Sequence, residues 1–202
     1  MIEIKRKDDI VIPFVNIGSE GWDTTTRSLL EAIAENWGNE LKEPVSASAL
    51  AALKARLGTT LLDSLKLFYQ TFGLTDIGEQ LQELDDIGWI RDIWADAPQY
   101  GPDFTEEDKR QLPYLVSFSD YLGNGNLFCF HSETKEIYYY DYDQRPCITK
   151  MFDSVDDYLK GYLLFAQGDL FSEEVGQEKV EQWVTEIVIG LVGERIIKKW
   201  RC

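Results

Sequence analysis

Residues 112–142, LPYLVSFSDYLGNGNLFCFHSETKEIYYYDY, decide the fold. Leu115 to Phe118 is a short apolar run, and Asn124, Gly125 and Asn126 are residues that tolerate positive φ, so the chain reverses there. Leu127 to His131 returns, Ser132 to Glu136 is a second polar turn, and Ile137 to Tyr142 is aromatic-rich, as a pleated surface favours. Period-2 alternation puts Phe128 and Phe130 on one face, with Leu127, Cys129 and His131 on the other. The stretch predicts an antiparallel sheet. Its last strand carries aromatics on both faces. Either one face is core and the other a contact surface, or helices cover both.

Working outward, Thr24 to Trp37 predicts a helix, with Leu29, Leu30, Ile33, Ala34 and Trp37 on one face and Gly38 ending it. Ser46 caps a second helix to Leu57, and a third runs from about Leu61 to Phe72, closed by Gly73. Ile2–Ile4 and Ile10–Ile12 are candidate short strands, the second limited by Pro13. Ile87, Ile90, Ile93 and Trp94 suggest a short helix within 85–94, and Pro98 to Phe104 a turn-rich loop. Ser154 with Asp157 resembles a capping box and opens a helix striped by Val155, Tyr158, Leu159, Tyr162 and Leu163. A last helix is expected from Glu178 to Trp200, although the β-branched Ile187-Val188-Ile189 leaves a strand open there. The order helices, sheet, helices reads as α+β, a central antiparallel sheet flanked by helices.

The chain's 202 residues suffice for one good core, and 44% hydrophobic content argues against disorder. No apolar run is long enough to span a membrane, and the charged start has no secretory pattern. Cys129, Cys147 and Cys202, scattered and odd in number, fit reduced thiols in the cytosol. With 36 acidic and 20 basic residues the formal net charge is −16. Such a surface repels nucleic acid and anionic membranes and steers basic partners in; simple solubility is the plainer explanation. Between 76 and 96 stand Asp76, Glu79, Glu83, Asp85, Asp86, Asp92 and Asp96 against Arg91 alone, whereas the last ten residues are basic.

Catalytic patterns are thin. His131 is the one histidine, and Cys129 lies two residues away on the same strand face, with Cβ atoms about 6–7 Å apart, awkward for an ion pair. Packing is the expected role of both. Asp141 and Asp143, with Asp153, Asp156 and Asp157 downstream, have spacing that can hold Mg²⁺ or Ca²⁺, but Pro146 stands where a calcium loop needs glycine. A helix N-terminus also accounts for the second group. No phosphate-binding glycine pattern and no GxSxG occurs. No metal or other cofactor is expected.

The order of elements resembles a known family. Leu57 to Gly73 (LGTTLLDSLKLFYQTFG), Leu112 to Asp143 and Phe152 to Leu163 (FDSVDDYLKGYL) resemble successive segments of SUKH-type domains, the Smi/Knr superfamily of cell-wall regulators and bacterial immunity proteins. The likeness covers about residues 43–165. Leu62 stands where the family has proline, Phe72 where it has asparagine, and Asn126 and His131 where it commonly has aspartates. The resemblance implies a non-catalytic α+β domain. In bacteria such a domain binds a cognate toxin, often a nuclease, and blocks it; a scaffold or regulatory module of the same fold is the alternative, and a metal-dependent hydrolase a remoter one.

Together these readings divide the chain into an N-terminal extension (1–42), a SUKH-like domain (43–168) and a C-terminal helical extension (169–202). The expected partner is a basic toxin domain. Its contact face is expected to involve Asp120, Asp141, Tyr142 and Asp143, with Trp89, Trp94 and the acids of 76–96 beside it.

Overall fold

A computed structural model describes residues 2–73, 80–93, 103–121 and 125–200. Five strands form one antiparallel meander in chain order: β1 (Gln80–Leu81), β2 (Leu115–Tyr121), β3 (Asn126–His131), β4 (Ile137–Tyr140) and β5 (Ile148–Phe152). Phe130 sits opposite both Val116 and Ile137, and Cys129 opposite Tyr138. The expected hairpins are thus present, framed by the two-residue β1 and by β5. The third strand ends at Tyr140 rather than Tyr142 because Asp141 begins a turn, its amide donating to the Cys147 carbonyl at 2.8 Å.

Two bulges adapt the sheet to its covering. Ser117 pairs with Cys129 and Ser119 with Phe128, so Phe118 is an extra residue. A bulge sends two successive side chains to one side. Phe118 enters the larger apolar core, and the Ser119 hydroxyl lies 2.8 Å from that of Tyr158. Met151 is likewise extra between Lys150 and Phe152, and both Met151 and Phe152 join that core.

The helices are α1 (Trp22–Trp37), α2 (Ala47–Leu57), α3 (Asp63–Phe72), α4 (Ile90–Ile93), α5 (Glu106–Gln111), α6 (Val155–Ala166), α7 (Gln177–Val192) and α8 (Glu194–Trp200). Local chemistry sets their ends. Ser46 Oγ accepts the Ala49 amide at 3.1 Å, and Ser154 Oγ the Asp157 amide at 3.2 Å. Gly38 closes α1 with φ 69°. Residues 187–189 are helical, and the expected single last helix is two, broken at Gly193. Ile10–Ile12 is not a strand. The Gln167 side chain instead gives Val11 both of its partners, accepting from the amide and donating to the carbonyl at 2.8 Å each.

One face of the sheet carries α1, α2, α3, α6, α7 and α8 around Phe118, Phe128, Phe130, Tyr139 and Phe152. The other carries α4 and the chain around α5, over Leu115, Leu127, Cys129, Tyr138 and Tyr140. Both faces of β4 are therefore covered. The contact surface considered for its tyrosines is not there, and Tyr138, Tyr139 and Tyr140 are core residues.

The terminal segments share that core: Ile4, Phe14 and Trp22 from one, Val180, Val184, Ile196 and Trp200 from the other. Trp200, fully buried, lies against Phe128, Phe152, Tyr158 and Phe165 with ring centroids 5.1–5.6 Å away. Its seat is Gly161 of α6, where a Cβ would come within 2.9 Å of the indole. On the opposite side Asp108 ties α5 to β5. Its carboxylate accepts from the Ile148 amide at 2.8 Å, the Thr105 amide at 2.8 Å and the Thr105 hydroxyl at 2.6 Å. Burial pushes this carboxyl up, but bonds from the Thr105 hydroxyl and the amides of Thr105, Ile148 and Cys147 outweigh it and hold it below its ordinary value.

Two outcomes follow for unfolding. Trp200→Ala should cost about 3–5 kcal/mol in urea titration, the usual loss for a buried aromatic that leaves a cavity. Asp108→Asn should cost about 1–3 kcal/mol at neutral pH. Because the folded carboxyl titrates lower than the unfolded one, its stabilisation is complete above roughly pH 4 and fades as pH falls through the folded value. The gap between the wild type and Asp108→Asn should therefore narrow in acid.

Candidate functional site

The register assembles one end of the sheet. Asp120 of β2 faces Leu127 of β3, and Leu127 faces Tyr140 of β4. The turn that follows Tyr140 therefore lies beyond the same end of the sheet as Asp120. Trp89 is elsewhere. It bridges to Val116, four positions along β2 from Asp120, or about 13 Å. Its indole N–H donates to the Leu57 carbonyl at 3.0 Å, and the Arg91 guanidinium lies 4.1 Å above its ring. Trp94, Asp76, Glu79 and Asp96 lie outside the described residues. Of the remaining acids, Glu83 pairs with Lys42 at 2.7 Å and Asp92 with Arg91 at 3.7 Å, while Asp85 and Asp86 are exposed.

The turn 141–147 is organised by Asp141. One carboxylate oxygen accepts the Asp143 amide at 3.1 Å, the other the Lys199 ammonium at 2.9 Å, and the Asp141 carbonyl accepts the Gln144 amide at 3.3 Å. The ion pair is largely shielded, with 24% of the lysine side chain and 12% of the aspartate exposed. Asp141 is therefore occupied inside the protein. Tyr142 is 38% exposed, its ring resting on Gly125, where a Cβ would lie 3.3 Å away. Asp143, Gln144 and Arg145 are exposed. Arg145 turns back, donating to the carbonyls of Tyr142 at 3.0 Å and Gln144 at 2.7 Å. The Arg145–Pro146 peptide bond is cis. An aromatic ring and one outward carboxylate thus stand on a braced turn. Asp120 is half-buried behind them.

The residues weighed for chemistry have structural partners. Cys129 is fully buried, which pushes its thiol well above the ordinary value, away from the thiolate a nucleophile needs. Burial also pushes up Cys147. His131 Nδ1 accepts the amides of Glu133 at 3.2 Å and Thr134 at 3.1 Å, capping the β3–β4 turn, and its ring stacks on Tyr114 at 4.9 Å. Burial lowers its pKa. Asp153 pairs with Lys150 at 2.8 Å, Asp156 accepts the Ile17 amide at 2.9 Å, and Asp157 the Ser154 hydroxyl at 2.8 Å. Among the described residues no three His, Cys, Asp or Glu side chains group as a metal site, and no helix is long and apolar enough to cross a membrane.

The fold is thus an α+β domain whose antiparallel meander is covered on both faces. Residues 44–161 match the SMI1 / KNR4 family (SUKH-1), and the chain belongs to that family. The family includes immunity proteins and is generally non-catalytic. No match was found among curated proteins. The matched span agrees with the likeness read at about 43–165. One departure from the family pattern has a packing reason: Phe72 meets Trp22 of α1 edge-on at 5.3 Å, a contact with a segment outside the match.

Sequence reasoning missed Asp108 and the Lys199–Asp141 pair. Thr105-Glu106-Glu107-Asp108 has the spacing of a capping box and was legible as a helix start. Nothing in the sequence links positions 141 and 199. The state of the thiols is checkable. In the native protein Cys129 and Cys147 should resist iodoacetamide and become labelled only in denaturant, as peptide mapping by mass spectrometry would show.

Proposed function

We propose that this protein is a non-catalytic binding protein of the immunity type, acting in the cytosol. It holds a cognate basic toxin domain, with a nuclease the leading class, and occludes it one to one. Family membership carries this reading, because the family includes immunity proteins. The net charge of −16 supports it, since a strongly acidic surface accelerates encounter with a basic partner and competes with nucleic acid for it. Inhibition of this kind needs no general base and no metal. Covering the partner's active cleft is enough.

The contact face is centred on Tyr142 and Asp143. A partner arginine can stack on the exposed ring and pair with the carboxylate. Asp120 and Asp141 lie behind this pair, one half-buried and one already in an ion pair, and add negative potential rather than direct contacts. The acids Asp85 and Asp86, with Trp89 nearby in the chain, extend the negative field along the outer edge of β2. Trp94, read with these acids from the sequence, lies outside the described residues.

Capture of partners from the native host, at low and at high salt, tests the reading. A single basic domain held one to one, and released by salt, is the expected result. Capture of several signalling or wall-synthesis proteins would replace it with the scaffold alternative. For the face itself, Asp143→Lys should slow association roughly three- to tenfold at low salt and flatten its salt dependence, without loss of stability. An unchanged rate would move the contact away from this turn.

A further inference from the structure

We infer that Lys199 is a positioning residue for the surface turn 141–147, so that the C-terminal helix, outside the family-matched span, sets how Tyr142 and Asp143 are presented. The inference rests on the proposed contact face for its functional meaning, and on contacts alone for its geometry.

The chain of contacts is short. α7 ends at Gly193, whose φ of 89° and ψ of 152° turn the chain into α8. Trp200 seats α8 against Gly161 and the aromatic cluster. That seat fixes the preceding residue, and the Lys199 ammonium reaches Asp141 at 2.9 Å while lying 5.6 Å from the Tyr139 ring centre. Asp141 in turn holds the Asp143 amide with its other oxygen and the Gln144 amide with its carbonyl. Without the lysine, a mostly buried carboxylate loses its counter-charge, and water must replace it. Asp141 then rotates outward to be solvated and lets go of the Asp143 amide. The turn loses its internal brace, and Tyr142 and Asp143 sample many orientations, which weakens any partner that needs one.

Hydrogen exchange followed residue by residue on the free protein tests this without a partner. In Lys199→Met, exchange at the Asp143 and Gln144 amides should speed up at least about tenfold, while core amides such as Phe128 and Tyr139 change far less. Lys199→Arg, which keeps charge and reach, should restore protection to within about twofold. Equal acceleration everywhere would mean a purely global role and would overturn the inference, as would an unchanged turn or failure of arginine to rescue. Since the readout is local and partner-free, its failure leaves the immunity reading standing. If the turn loosens as expected but partner binding is unaffected, the contact face is elsewhere.

Discussion

The structure turns on the burial of one indole from the end of the chain inside an aromatic cluster built by strands and α6. Trp200 is not an ornament on a finished domain. Phe128 comes from β3, Phe152 from β5, Tyr158 and Phe165 from α6, and the ring packs against them all. Packing in a protein interior is close to that of a crystal, so a residue in this position sets the spacing of its neighbours as much as they set its own. Gly161 is the clearest sign, since any side chain there would occupy the space of the indole. The family-matched span 44–161 therefore shares one core with segments on both sides of it.

Covered on both faces, the sheet leaves its turns and the outer faces of its helices exposed. At the 141–147 turn, hydrogen bonds from Asp141 and Arg145 hold the backbone, and an aromatic ring rests on a glycine. Braced turns on a rigid layer are a common way to present a contact surface, because little conformational entropy remains to be lost on binding. Asp141 lends its charge to the fold, and Asp143 keeps its own outward.

Much of the fold was legible. The strand–turn–strand pattern of 115–140, the Ser46 and Ser154 caps and the Gly38 and Gly58 ends are local signals, and local chemistry decided them. Apart from the Thr105–Asp108 capping box, a local signal passed over, the clearest misses were non-local. Ile148–Phe152 carries Lys150 within a short run, and becomes a strand because β4 is there to pair with it. Ile10–Ile12 has strand composition but meets a glutamine side chain instead of a neighbouring strand. Where the candidate residues lie was only partly legible. The register gathered Asp120, Asp141, Tyr142 and Asp143 at one end of the sheet, but no periodicity reveals that Asp141 is spoken for by a residue 58 positions away.

The glutamine at 167 has a consequence for the apolar N-terminal run of this acidic chain. Ile10-Val11-Ile12 offers the β-branched composition from which strands recruit one another. A strand recruits through free amides and carbonyls, and the central residue of this run has neither. One primary amide, itself fully buried, takes both. The side chain acts as a single rung of a ladder that goes no further, so the edge that Val11 would offer to another strand is already occupied.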